Sequence, residues 1–416
     1  MGPPSGAVCQ AGGGGGTGMP DRVTLRQPPR RVWYRPMVAR PADEPHRTVS
    51  PLELLFDLCF VAAVRQAADR LHHNLGATDI AHGVGIYPAV FFAIWWTWMN
   101  FTTFASAYDP EDDVYRLTTL VQIAGALVLA AGVPRAFDRA DFSIITYGYV
   151  IMRLAMVAQW LRVAHSDRPR RGTALRYAVG VVAVQGAWVA RLTLPHRWLI
   201  PGFLAIALAE LLLPFWARRA AAITWHPRHI TDRFGLFTII VLGESVLATS
   251  LAFQVAIDRR YRTSTMLSIG AASIVIVFAM WWLYFDHPVA HLLTSPRLAL
   301  LWGYGQYLIF ASAAALGAGL AVDIDWQTHA AHLGHLAVGY ATAVPVAVYL
   351  LAVWTLHLRP YQRRMTDIGF WVSAALVLAA PFTPAPVPTI ALVLAALVAT
   401  TVVDSRLRQD LWAGSE

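Results

Sequence analysis

From Ser50 onward the chain alternates long apolar stretches with short polar gaps. The stretches run about 17 to 25 residues, the length that carries an α-helix across a hydrocarbon core roughly 30 Å thick. They fall near 52–73, 83–104, 114–134, 141–164, 174–194, 198–217, 232–254, 264–286, 298–321, 332–357, 367–382 and 386–404. The pattern predicts an all-α polytopic membrane protein with about twelve transmembrane helices. The first stretch is unusual in holding Glu53, Asp57, Arg65 and Asp69, and the last two are short and parted by the proline-rich run from Pro381 to Pro388.

Residues 1–50 are different material: a glycine run from Gly12 to Gly16, scattered prolines, and Arg22, Arg26, Arg30, Arg31, Arg35, Arg40 and Arg47. With little to bury, this stretch is predicted to stay disordered. It has no apolar core of the kind a secretory signal needs. Arginines gather around the gaps at 164–174, 217–232 and 357–367, the same side as the N-terminal tail and the short tail 406–416. The positive-inside rule then places both termini in the cytoplasm. The cluster Arg259, Arg260 and Arg262 falls on the opposite side and runs against that assignment.

The two halves of the chain resemble each other. Leu52 to Ala68 aligns with Asp232 to Ala248, and each half then reaches a tryptophan pair, Trp95–Trp96 and Trp281–Trp282. An arginine (Arg116, Arg297) and a glutamine (Gln122, Gln306) follow in each, at offsets of 180 to 186 residues. Six helices is an even number, so such repeats, 51–225 and 226–405, would enter from one face and run parallel.

Composition narrows the function. At 56% hydrophobic and 14% charged, the 416-residue chain lacks the charge to cover a soluble surface. Its +8 net charge comes wholly from arginine, because lysine is absent. Walker-type ATP hydrolysis and Schiff-base chemistry are thereby excluded, and no nucleophile elbow or H-E-x-x-H motif occurs. The reading is therefore not an enzyme. The arginines lie in the tail and between apolar runs, so nucleic acid is not an expected partner. Two cysteines, Cys9 and Cys59, build neither a disulfide framework nor a metal knot. No metal or cofactor is expected.

The segment Ser50-Pro51-Leu52-Glu53-Leu54-Leu55-Phe56-Asp57-Leu58-Cys59-Phe60-Val61 resembles the opening signature of the bacterial low temperature requirement protein A family. Three further blocks resemble it too: Trp95 to Phe101 running on to Asp109, Arg233 to Glu244, and Trp281 to Asp286. Where that family usually has Glu before Arg-Phe-Gly, this chain has Asp232, which keeps the charge with a shorter reach. The resemblance implies a multi-pass bacterial plasma-membrane protein associated with growth in the cold, and supplies no substrate.

Function must then come from charges inside the apolar stretches, each of which costs from about 2.5 kcal/mol upward unless paired or wetted. At 100° per residue Glu53, Asp57, Arg65 and Asp69 share one face of the first helix. On the seventh, Arg233 and Glu244 lie about 16 Å apart along the axis and about 20° apart around it. Arg153 and Glu210 are lone charges in the fourth and sixth stretches. A functional reading joins Glu53, Asp57, Arg65, Arg153, Glu210, Arg233 and Glu244 into a buried pathway for a small solute or ion. A plainer one pairs them as structural glue, with Glu53 capping its helix beside Ser50. The tryptophan pairs read as aromatic belts at the lipid interface more readily than as a ligand box. His329, His332 and His335 near Asp323 and Asp325 have metal-like spacing but diverge around a helix. The expectation is a secondary transporter or ion permease partnered by the lipid bilayer and an unidentified solute, with a non-transporting scaffold or sensor and an intramembrane lipid-modifying enzyme as the alternatives.

Overall fold

The computed structural model describes residues 32–41, 47–77, 79–221, 223, 225–258, 263–331, 333–359 and 364–413. Among the described residues the chain forms twelve α-helices and no strand. The first six are α1 (Pro51–Gly76), α2 (Ile80–Ala107), α3 (Asp113–Arg139), α4 (Ser143–Ser166), α5 (Arg171–Arg191) and α6 (Leu199–Ala217). The second six are α7 (Pro227–Asp258), α8 (Thr263–Phe285), α9 (Pro296–Gln327), α10 (His335–Val353), α11 (Arg364–Ala379) and α12 (Pro386–Ala413). Among the described residues nine helices are long and apolar enough to cross a membrane: α2 to α6, α8, α9, α10 and α12. The helix carrying Glu53 and the one carrying Arg233, α1 and α7, are not among the nine.

Local chemistry sets several helix starts. At α1 the Ser50 side chain accepts from the Glu53 amide, Glu53 reaches back to the Ser50 amide, and Pro51 opens the first turn. Asp112 caps α3 through the Tyr115 amide, and Ser295 caps α9 through the Leu298 amide.

Consecutive helices reverse direction. The end of the bundle where α1 and α7 begin is called here the near end, and the opposite one the far end. At the far end Arg70 on α1 meets Asp138 on α3, and His72 on α1 meets Asp325 on α9. Within the first six helices α1 packs on α2 and α3, α3 on α4, α4 on α5 and α5 on α6. Within the second six α7 packs on α8 and α9, α9 on α10, α10 on α11 and α11 on α12. The halves are joined where α1 and α2 meet α7 and α9.

The segment before α1 departs from the expectation of a disordered tail over the residues described. Met37 is buried, the Arg40 amide donates to Ala107 O, and the Arg47 guanidinium donates to Ala105 O and Ser106 O. The buried carbonyls at the end of α2, which lack intrahelical partners in the last turn, give those arginines acceptors, which composition alone does not reveal. Residues 1–31 and 42–46 lie outside the described residues.

The α3–α4 contact depends on glycine. A Cβ at Gly148 would fall 2.6 Å from Gly125 O and closer still to the Leu129 amide nitrogen, and one at Gly132 would fall 2.6 Å from the Ile145 nitrogen. These are backbone atoms, so side-chain rearrangement cannot relieve the overlap, and small residues let the two helices approach closely. Gly148→Val is expected to lower stability by about 1–3 kcal/mol, whereas Gly186→Ala, with open space at its Cβ position, should have little effect. Thermal unfolding in detergent would compare the two.

Candidate functional site

The seven charged residues singled out above assemble at three places. The first joins α1 to α7 near their beginnings. Glu53 and Asp57, one helical turn apart, both face Arg233, and all three are at most 1% exposed. Arg233 Nη2 lies 2.5 Å from Asp57 Oδ1, its Nε donates to Asp57 Oδ2 at 3.1 Å, and its Nη1 stands 2.9 Å from Glu53 Oε1. The Trp98 indole N–H donates to Asp57 Oδ1 at 2.7 Å, and His229 Nε2 lies 3.3 Å from Glu53 Oε1. One guanidinium faces two carboxylates here. The His229 imidazole stands beside Glu53 at the near end of the cluster.

The second place is the middle of the first six helices. Arg153 on α4 and Glu210 on α6 pair at 2.8 Å, and both are at most 1% exposed. Glu210 also accepts from Trp96 Nε1 (2.8 Å), the Tyr149 hydroxyl (2.7 Å) and Gln185 Nε2 (3.3 Å). A single carboxylate thus collects donors from α2, α4 and α5 and fixes α6 against them.

The third is further along the α1–α7 seam. Arg65 Nη1 lies 4.0 Å from Glu244 Oε2 and its Nε lies 3.7 Å from Asp69. These side chains are open, with Arg65 at 41% and Glu244 at 20% exposure. Arg65 is eight residues beyond Asp57, about 12 Å along the helix, and the intervening Phe60, Val64 and Val241 are fully buried. The charges of α1 therefore do not form one continuous face. The drift of 40° per four residues carries Arg65 and Asp69 away from the side that buries Glu53 and Asp57.

The sequence pattern does not identify Trp98, His229, Trp96, Tyr149 and Gln185 as partners of these charges: Trp96 reads there as half of an aromatic pair and His229, with His226, as a weak metal-like spacing. In the second half, Tyr284 donates to Gln306, which pairs with His357 Nε2 at 3.0 Å, all buried. Trp95 and Trp96 are buried core residues rather than an interfacial belt, because Glu210 needs an indole donor there; Trp281 and Trp282 are over 40% exposed. Among the described residues no group of three or more His, Cys, Asp or Glu could hold a metal. His332 and the cluster Arg259, Arg260 and Arg262 lie outside the described residues.

At the near end, the α2–α3 connection is tied to α4 and to the segment before α1. Arg162 lies 2.6 Å from Asp112 Oδ2, which also accepts from the Arg35 amide. Burial raises the neighbouring Asp109 carboxyl to about 6, and the negative charge of Glu53 adds to the shift.

Comparison with known proteins yields a family model described as "Bacterial low temperature requirement A protein (LtrA)", which matches residues 48–403. A relative described as an uncharacterized protein of Rhizobium meliloti (strain 1021) is 24% identical over 248 residues, covering 56% of this chain and 57% of the relative. The chain thus spans less than two thirds of that relative's length.

Two outcomes follow from these charges. Arg153→Met strands a buried carboxylate and is expected to destabilise the protein by about 3–5 kcal/mol; adding Glu210→Gln, a neutral amide, should recover a large part, as read by thermal unfolding. For Asp109, a folded-state pKa above the unfolded value means that its stabilising contribution is present at low pH and is lost as pH rises through about 6. Asp109→Asn should therefore be more stable than the parent at pH 8, with the gain shrinking below pH 6.

Proposed function

Because the chain belongs to the bacterial low temperature requirement A family and carries charges across the seam between its two halves, we propose that it is a secondary transporter or ion permease of the bacterial plasma membrane. In this reading all twelve helices cross the bilayer, the two sets of six are parallel repeats, and the near end with both termini faces the cytoplasm. The shared neighbour order of the first five helices of each half supports the repeat, although α12 packs on α8 whereas α6 stands off α2. So does the side-by-side, same-direction course of α1 and α7, whose charges meet at the near end and again beyond Arg65.

The observation that carries the proposal is the open Arg65–Glu244 pair, which lies close to the middle of α7. Charged side chains at that depth persist where they line water or protein, not where they meet lipid tails. The pair then marks a wet vestibule entered from the far end. The apolar layer of Phe60, Val64 and Val241 closes it from the Arg233 cluster, whose two carboxylates are in this reading the proton-binding groups. A two-sided array with a dry barrier between its parts is what alternating access requires of a closed state.

A second reading rests on the same cluster: Glu53, Asp57 and Arg233 are sealed from solvent, as in a structural lock of a non-transporting scaffold. Purified protein in liposomes loaded with a pH-sensitive dye separates the two. A transporter is expected to dissipate an imposed pH gradient, and Glu244→Gln and Asp57→Asn, inserted at parental levels, should each lose at least tenfold in rate. A parental protein that passes no protons, or variants that match it, would leave the scaffold reading standing alone.

A further inference from the structure

α6 is the least embedded of the nine apolar helices. Only 22% of its apolar segment is buried, against 83% for α9. Its inner side is anchored through Glu210, while Ile200, Leu204, Leu208 and Leu212 form an exposed ridge at four-residue spacing. Between α6, α2 and α9 lies an open cleft of about 750 Å³, walled mainly by apolar side chains of α2 and α6 and by Tyr304 and Tyr307 of α9. Its inner limit is a cross-link: the Tyr304 hydroxyl on α9 donates to Leu211 O on α6 at 2.7 Å. From Leu199 at the far end to Leu211 is twelve residues, about 18 Å of helix, which is close to the depth of one leaflet of a roughly 30 Å hydrocarbon core.

The far-end mouth carries a positive charge in a built setting. Arg191 borders the cleft and is 7% exposed. Its Nε donates to Leu199 O at 3.0 Å, and its guanidinium lies over the rings of Phe142 (5.4 Å), Trp188 (6.0 Å) and Phe203 (5.5 Å). Among the described residues neither Nη atom has a hydrogen-bond or ion-pair partner. This guanidinium is held by rings and one carbonyl, with its terminal fork left for an external acceptor. Deeper in the same cleft the Trp95 indole N–H is buried with no acceptor.

We infer that the α2–α6–α9 cleft binds a phospholipid of the surrounding bilayer, with its phosphate on Arg191 and an acyl chain along the Leu204–Leu208 ridge down to Tyr304. An apolar slot one leaflet deep with a single arginine at headgroup level matches a phosphate attached to a long hydrocarbon chain. A water-soluble anion would leave the walls uncovered, and a lipid without phosphate would offer the guanidinium only neutral ester and hydroxyl oxygens in place of a charged acceptor. The site is separate from the α1–α7 charges, so it stands whether or not the protein transports.

Native mass spectrometry of the detergent-purified full chain, titrated with phosphatidylglycerol and in parallel with diacylglycerol of the same chains, tests this. The parent is expected to retain one phosphatidylglycerol at least tenfold more tightly than diacylglycerol. Arg191→Gln should lose that preference, and Leu208→Trp, which fills the slot from its rim, should weaken both lipids; Arg197→Gln, outside the cleft, should bind as the parent does. If Arg191→Gln fails to fold, Leu208→Trp and the lipid comparison decide. Equal retention of the two lipids, parental binding by Leu208→Trp, or no retained lipid would overturn the inference.

Discussion

A charge in a hydrocarbon environment must meet its counter-charge within the protein, and this constraint fixes how the helices of this chain are arranged. Arg233 cannot be buried without Glu53 and Asp57 beside it, so α7 must lie along α1, in the same direction and with their beginnings level. Glu210 cannot be buried without Arg153 and the donors of Trp96, Tyr149 and Gln185, so α6 is held on α5 and reached at one level by side chains of α2 and α4. Between helices already surrounded by apolar material, packing alone distinguishes neighbours weakly; ion pairs and hydrogen bonds distinguish them strongly.

The same constraint explains what is left open. α6 spends its one charged anchor on the side that faces α4, and its exposed ridge is leucine and isoleucine, which have no preference between protein and lipid. Among the described residues that side of α6 meets α9 chiefly around Tyr304, whose hydroxyl reaches Leu211 and whose ring meets Phe215. A helix tethered at two points and apolar elsewhere stands away from its neighbour, and a cleft of leaflet depth follows.

Much of the architecture was legible in the order of apolar and polar positions. The helices near 52–73 and 386–404, uncertain because of charge and proline, are present as α1 and α12, and the Ser50–Glu53 capping pattern could be read directly from four residues. The partner of each charge was not legible. Asp57 could have met Arg65 on its own helix or Arg153 on another, and spacing along one helix does not decide between them; the choice of Arg233 depends on which helices touch. The roles of Trp98 and His229 are hidden for the same reason, since an indole or imidazole in an apolar run gives no sign that it serves a carboxylate. The tryptophan pairs misled because an amphipathic ring suits a membrane interface as well as a buried polar network, and only the location of Glu210 separates the two.

The equivalences between the halves give the α1–α7 seam its directional character. At the 180-residue offset Glu53 corresponds to Arg233 and Asp57 to Phe237, so matching positions carry opposite charge in one case and an aromatic ring in the other. Phe237 stacks on Trp98 at 4.3 Å, the same indole that serves Asp57, so the α7 side of the seam is apolar one turn beyond its arginine. All the excess negative charge of the cluster therefore belongs to α1. A proton added there weakens the hold of Arg233 on α1 alone and leaves the packing of α7 on α9 intact. In the proposed transporter, protonation and parting of the two halves are thus linked through one helix, and by reciprocity any solute that favours the parted form must also favour proton uptake.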